Sequence, residues 1–416
     1  MKIAGLNKNF DVDVNLVGSK SESNRVLMIG YYGGFTPRVN NVSTSNDTQL
    51  LSDILQSLRV KTRFIASSSS HTDPLTINCA NAGTVLRFLA TALAFRDGEY
   101  ILTGSDRMLQ RPVGDLVDTL RQIGADIEYT GQEGFPPLTI HGKYSVRTDR
   151  VCPPPKIHVD ITRSSQFASS LLLALPVVET RHGTSLHLDG DLSSVPYIDM
   201  TIDVMRKFGV DVYRDGRDII VQPSEYHDVE CTVESDWTCA SYWYEMVALS
   251  ENGRARLRNL HLDSKQGDSI VAKWFEDFGV KSIQDGNDVV ITKFVETFSE
   301  TSQNIHEKPL QFDFIDNPDL YPTIAATCTG LGVEGRFTGL RNLIHKESDR
   351  VAAMTTELSR VGTGRVCPPI FDSHNDHRVA MALAPLAMKI GAIEINNADV
   401  VSKSYPNFWT EFSQLL

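Results

Sequence analysis

The chain has 416 residues, room for two or three compact domains at roughly 150 residues each. With 41% hydrophobic and 22% charged residues and no long segment biased towards Pro, Gly or one charge, the composition excludes disorder. A net charge of −12 excludes a surface built for a polyanion such as nucleic acid, so any anionic ligand must be met by a local cluster of Lys and Arg.

Met1 to Phe10 lacks the apolar stretch of a secretory signal, and no apolar run approaches the roughly 20 residues needed to span a bilayer, so a cytoplasmic protein is expected. DVNLV (13–17) reads as a strand. Gly18-Ser19-Lys20-Ser21-Glu22-Ser23-Asn24-Arg25 then opens a helix predicted over 23–30. Asn81-Ala82-Gly83-Thr84 opens a second over 82–95, where Gly83 would let a ligand approach the backbone and Arg87 lies one turn on. Arg111-Pro112 places an arginine beside a proline expected in a first helical turn. Ser164-Ser165-Gln166 opens an apolar helix over 164–175, and simple N-capping accounts for only one of these three polar groups. SLHLDG (185–190) is a strand, and Ser194-Val195-Pro196-Tyr197 repeats the polar opening. A change of texture over 223–235 is the expected boundary between two halves. Beyond it follow the strand DVVIT, Asn317-Pro318-Asp319 before a helix over 322–329, and Lys346-Glu347-Ser348-Asp349-Arg350. Asn375-Asp376-His377-Arg378 opens a helix over 376–389, the strand AIEIN comes next, and Ser402-Lys403-Ser404-Tyr405-Pro406 lies near the end.

Four stretches share one pattern: an amphipathic helix ending in Gly and running into a β-rich segment, at Gly124, Gly209, Gly279 and Gly362. Their spacing, roughly 70 to 85 residues, is too long for a solenoid and points to a duplicated α/β unit. The unusual polar groups gather at strand-to-helix junctions, where free N–H groups and the positive end of the helix dipole favour anions. Six cysteines (Cys79, Cys152, Cys231, Cys239, Cys328, Cys367) form no CxxC pair, which suggests neither a zinc site nor a disulfide framework.

Taken together, GSKSESNR, NAGTVLR, RPVGDL, SSQF, SVPYID, KESDR, NDHR and SKSYP, in order from residue 18 to 406, resemble the motifs of the EPSP synthase family of enolpyruvyl transferases. The resemblance implies an α/β fold of two similar lobes, each built from three repeated βαβ-type units with helix N-termini facing the interlobe cleft. The lobes are expected at 19–232 and at 1–18 plus 233–416. It also implies transfer of the carboxyvinyl group of phosphoenolpyruvate to shikimate 3-phosphate, with no cofactor or metal and with monomeric members. The related enzymes that act on UDP-N-acetylglucosamine share the fold, but they typically open with a GAKNA-like motif and use a loop cysteine. This chain has GSKSESNR there and no cysteine between Cys79 and Cys152.

By the same resemblance, Ser21 and Arg25 would hold the shikimate carboxylate, and Ser164, Ser165, Ser194 and Lys346 its phosphate, with Gln166, Tyr197 and Asn342 completing the pocket. Lys20, Gly83, Arg111, Gln166 and Lys403 would address the phosphate of phosphoenolpyruvate, Arg350 and Arg378 would clamp its carboxylate, and Arg87 and His377 would line the space. Asp319, also against shikimate 3-phosphate, would be the base, and Glu347 with Lys20 the acid, for addition followed by elimination. The two substrates bring roughly six negative charges, and the named lysines and arginines supply comparable positive charge. Two departures stand out: segments 50–78 and 362–375 are shorter than in many relatives, and Phe88 follows Arg87 where many have proline.

Overall fold

The computed structural model describes residues 1–65, 73–143, 156–178, 184–294, 309–361 and 368–416. The chain divides into two compact units. An inserted unit comprises residues 20–42 and 47–233, and a terminal unit comprises 1–19, 43–46 and 234–416. Each has its own hydrophobic core.

The inserted unit carries helices α1 (Lys20–Tyr32), α2 (Asn46–Ile65, from its second residue), α3 (Gly83–Ala94), α4 (Gly114–Gln122), α5 (Gln166–Ala174) and α6 (Val195–Lys207). Two four-stranded sheets in it share one topology. In the first, Leu75–Asn78 runs parallel to Gly98–Thr103 with α3 between them; the hairpin Asp126–Tyr129/Leu138–Gly142 follows α4 and pairs its second strand with Gly98–Thr103. In the second, Lys156–Asp160, α5, Thr184–Asp189, α6 and the hairpin Val212–Asp215/Asp218–Val221 repeat the same order. The parallel pair needs a helical crossover, whereas a tight turn suffices for the antiparallel hairpin. α3 and α5 are apolar nearly all round and are buried accordingly.

The terminal unit contains a third copy. Asn9–Val14 runs parallel to Asn252–Leu257, which pairs with Asp288–Lys293 of the hairpin Val280–Asp285/Asp288–Lys293. Its central helix α7 (Trp237–Leu249) has every residue buried. Farther on come α8 (Val271–Trp274), α9 (Tyr321–Leu331), α10 (Arg350–Leu358) and α11 (His377–Leu383). Leu310–Asp313 pairs in parallel with Gly335–Thr338 across α9. Ile370–Asp372 pairs with Ile393–Asn396, which also takes the first strand, Lys2–Ile3.

Gly124, Gly209 and Gly279 follow their helices at φ +91°, +90° and +73°, the left-handed conformation expected of glycine at a helix end. Gly362 lies outside the described residues. Several local expectations are corrected. The helix expected over 376–389 is broken into α11, a 3₁₀ turn Ala384–Leu386 and a short helix Ala387–Ile390, because Pro385 has no N–H to continue the ladder. Arg111-Pro112 lies outside a first turn: the Val113 and Gly114 N–H groups donate to the Gly134 carbonyl at 2.9 and 3.1 Å, so α4 starts only at Gly114. Ser402 and Lys403 end a 3₁₀ segment, Ala398–Lys403, rather than opening a helix. The first long strand ends at Val14, short of Val17, whose carbonyl instead accepts the Asp236 N–H. α2 was not anticipated, although Leu51, Leu55 and Leu58 bury one face at helical spacing.

Candidate active site

In the inserted unit, α3, α5 and α6, like α4, begin without a side-chain cap. Ala82 precedes α3, Ser165 precedes α5, and Ser194 precedes α6, and none bonds its own helix. Ser194 sits at φ +54°, a conformation that costs a non-glycine residue free energy and is retained at functional sites. Neighbouring Ser164 accepts the Gln166 N–H at 3.3 Å. The starts of α5 and α6 therefore present the Ser165 and Ser194 hydroxyls at the positive ends of their helix dipoles.

Two buried arginines stand at the start of α3. A Cβ placed on Gly83 would lie 2.8 Å from both Arg87 Nη1 and Arg111 Nη2, so only glycine leaves both guanidinium groups against the backbone there. Arg87 donates to Gln166 Oε1 at 2.7 Å and to the Pro112 carbonyl at 3.1 Å, with its guanidinium over the Phe167 ring. Gln166 in turn donates to Thr84 Oγ1 at 2.8 Å, tying α5 to the first turn of α3. Arg111 donates to the Asn81 carbonyl at 3.4 Å.

Arg25 is 2% exposed. It donates to Thr201 Oγ1, the Ser21 carbonyl, Ser169 Oγ and the Tyr197 carbonyl at 2.7, 2.7, 3.1 and 2.9 Å. Burial lowers its pKa to about 10, with Tyr197 and Glu22 opposing the shift, so the group stays charged at neutral pH. Four of its five N–H groups are thus committed to holding α1, α5 and α6 together. Phe88 lies under this guanidinium at 5.8 Å. Lys20, the first residue of α1, pairs with Asp47 at 3.3 Å.

In the terminal unit, Asp319 lies in the 3₁₀ turn Pro318–Leu320 before α9 and accepts from three cations. Arg350 Nη1 and Lys346 Nζ reach Oδ1 at 2.7 and 3.3 Å, and Arg378 Nη2 reaches Oδ2 at 2.8 Å. Burial favours the neutral acid, but Arg378, Lys346 and Arg350 override it and hold the carboxyl well below the ordinary carboxylate range. Arg350, 1% exposed, also donates to Glu347 at 3.0 Å and to Asp376 at 2.8 Å. Burial opposes its charge, yet Asp376, Asp319 and Glu347 raise its pKa above the usual arginine value. Lys403 lies 3.8 Å from Glu347, and His377 Nδ1 is 3.6 Å from Asp376. Asn342 is half-buried in the 3₁₀ segment Arg341–His345. Here Asp236, Asp349 and Asp376 cap α7, α10 and α11 with their own carboxylates, while α8 and α9 carry no side-chain cap. The cations Lys346, Arg350 and Arg378 supply the positive potential around Asp319.

Asp319, Lys346, Glu347, Arg350, Arg378 and Lys403 lie in the terminal unit, and Lys20, Arg25, Gly83, Arg87, Arg111, Gln166 and the serine loops lie in the inserted one. The partners that organise them were missed. Asp376, within the Asn375–Arg378 helix opening, orients Arg350 and accepts from Ser348 Oγ at 3.1 Å. Asp268 is fully buried, accepts from Thr238 and from Asn317 Nδ2, and is pushed up to about 6 by burial and by neighbouring Asp319. It anchors the NPD turn, and no local sequence signal marks it.

A sequence model of the family described as EPSP synthase (3-phosphoshikimate 1-carboxyvinyltransferase) matches residues 6–412. The chain belongs to the EPSP synthase family. The 3-phosphoshikimate 1-carboxyvinyltransferase of Bacteroides fragilis is 36% identical over 418 residues, spanning 96% of this chain and 93% of that protein. Its counterpart in Vibrio cholerae is 35% identical, spanning 97% and 96%. The crystal structure of EPSP synthase from Acinetobacter baumannii superposes with a TM-score of 0.71 at 21% identity, covering 100% of this chain and 97% of that one, which shows the shared two-lobed α/β fold. The enolpyruvyl transferase NikO from Streptomyces tendae has the same fold at a TM-score of 0.66. Among the described residues, no helix is long and apolar enough to cross a membrane.

Proposed function

We propose that the chain transfers the carboxyvinyl group of phosphoenolpyruvate to the 5-hydroxyl of shikimate 3-phosphate, giving 5-enolpyruvylshikimate 3-phosphate and phosphate on the route to chorismate and the aromatic amino acids. The observation that carries this reading is the Asp319 carboxylate held among Lys346, Arg350 and Arg378, a base set directly beside cations suited to anionic substrates. In the free protein those cations make Asp319 a weak base. Substrate carboxylate and phosphate engaging the same cations weaken their hold on Asp319 and raise its basicity when the 5-hydroxyl proton must leave. Glu347, between Arg350 and Lys403, and Lys20 deliver the proton to the methylene carbon; elimination of phosphate reverses the roles.

Ser164, Ser165, Ser194, Gln166, Tyr197, Ser21, Arg25, Lys346 and Asn342 are assigned to shikimate 3-phosphate on the family's motifs. Arg87, Arg111, Gly83, Lys20 and Lys403 face the phosphate side of phosphoenolpyruvate, and Arg350, Arg378 and His377 its carboxylate. Fixed guanidinium and ammonium groups stabilise the charge that develops on the departing phosphate. The protein acts in the cytoplasm as a monomer, which light scattering checks directly. Phosphate release measured with both substrates together and with each alone tests the activity: release only with both is expected, and none with both overturns the assignment.

A further inference from the structure

Away from these residues, one sheet of the inserted unit displays two histidines and a carboxylate on a single face. Lys156–Asp160 and Thr184–Asp189 run parallel with His158 directly opposite His187, and Asp189 follows two residues later on the same side of the pleat. The two imidazole centroids are 5.1 Å apart. Asp189 reaches both rings, Oδ2 lying 3.1 Å from His158 Nδ1 and Oδ1 lying 3.7 Å from His187 Nε2. One ligand atom from each of the three side chains falls within 4.8 Å of the others. On the adjacent strand, Asp218 Oδ1 sits 2.6 Å from His187 Nδ1, and Lys156 holds Asp218 at 3.0 Å.

That last contact decides how His187 is disposed. A carboxylate on Nδ1 fixes the proton there, so the Nε2 lone pair of the neutral ring faces the carboxylate of Asp189. At 3.7 Å, His187 Nε2 and the Asp189 carboxylate leave room for a shared cation. We propose that His158, His187 and Asp189 form a site for a divalent transition metal of the zinc class, with Asp218 as the outer carboxylate that orients His187. Tetrahedral zinc with bonds of about 2.0–2.1 Å sets its ligands roughly 3.3 Å apart; the two histidine–Asp189 separations, 3.1 and 3.7 Å, lie near that value, and an ion would draw in the three ligand atoms, which fall within 4.8 Å of one another. Two imidazoles and one carboxylate select zinc, copper or nickel over magnesium or calcium, and water completes the fourth position. The ion staples two parallel strands whose C-terminal ends lead into the Ser164–Gln166 and Ser194 loops. With the His158 and Asp189 side chains 50% and 44% exposed, the site is open to solvent and exchanges its ion.

The test uses the full chain, stripped of metal with a chelator and titrated with ZnCl2 by calorimetry, with CoCl2 absorption as a ligand-field readout. One zinc is expected at this site. His187→Ala and Asp189→Asn should each weaken it at least about 10-fold, and Asp218→Asn, which leaves all three ligands in place, by about 10- to 100-fold. Phosphate release should be unchanged in every variant. Wild-type affinity and stoichiometry in both His187→Ala and Asp218→Asn would overturn the proposal, as would no zinc uptake by the wild type below about 1 mM.

Discussion

Glu245 is completely buried in α7, and neither of its carboxylate oxygens has a hydrogen-bond partner. Burial alone pushes its pKa well above the ordinary value of 4.5, so it is held as the neutral acid in the folded protein. The unfolded chain ionises it near 4.5, and from there upward the folded state holds more protons than the unfolded one. Stability therefore falls as pH rises, by about 1.4 kcal/mol per pH unit, until the folded-state pKa is reached. Glu245→Gln keeps the shape and a comparable buried polarity but removes the linkage. Its stability relative to wild type should thus climb with pH across 5.5 to 7.5, gaining up to about 3 kcal/mol over those two units. All four tryptophans of the chain, at positions 237, 243, 274 and 409, belong to the terminal unit, so their fluorescence during urea unfolding reports on the unit that contains α7. Parallel stability curves for wild type and Glu245→Gln over that range would refute the reasoning.

Three further substitutions test the arrangement. Asp319→Asn should lower turnover by about 100- to 10,000-fold in the phosphate-release assay, and near-wild-type turnover would remove Asp319 from the mechanism. Arg25→Ala should destabilise the inserted unit by about 2–4 kcal/mol, followed by circular dichroism, because two hydroxyls and two carbonyls lose their donor. In calorimetry the same variant should weaken shikimate 3-phosphate binding more than single-turnover kinetics show it slowing the chemical step; an unchanged affinity would confine Arg25 to a structural role. Gly83→Ala should raise the KM for phosphoenolpyruvate about 10-fold or more by displacing the Arg87 and Arg111 tips, while shikimate 3-phosphate affinity changes less than about threefold.

Much of this arrangement is written locally in the chain. Glycine at a helix end and a polar triplet ahead of an apolar helix are consequences of neighbouring residues alone, so Gly124, Gly209, Gly279, Ser165 and Ser194 could be read without a fold. Pro385 was equally visible and marks the helix break. What could not be read depends on register and packing. His158 and His187 are 29 positions apart and meet only because two strands pair in one alignment. Asp268 reaches Asn317, 49 residues away, through the packing of the terminal unit. The neutral state of Glu245 follows from a helix buried on every side, which hydrophobicity suggests but side-chain contacts decide. Among the expected site residues the surprise is Arg25, which is bound so fully by its own unit that it works as a strut as well as a cation.

The interruption of the terminal unit by the inserted one imposes an order on the ribosome. The amino group of Met1 bonds the Ile395 carbonyl, 394 residues away, and Asn9–Val14 pairs with Asn252–Leu257. At ~5–20 residues per second, the first strand waits about 20 to 80 s for its partner to be synthesised. The inserted unit, whose sheets close on residues before 234, can complete its core well before then. During that interval the N-terminal segment is an unpaired, β-prone stretch on a nascent chain, and it is there that chaperones or proteases have their longest access.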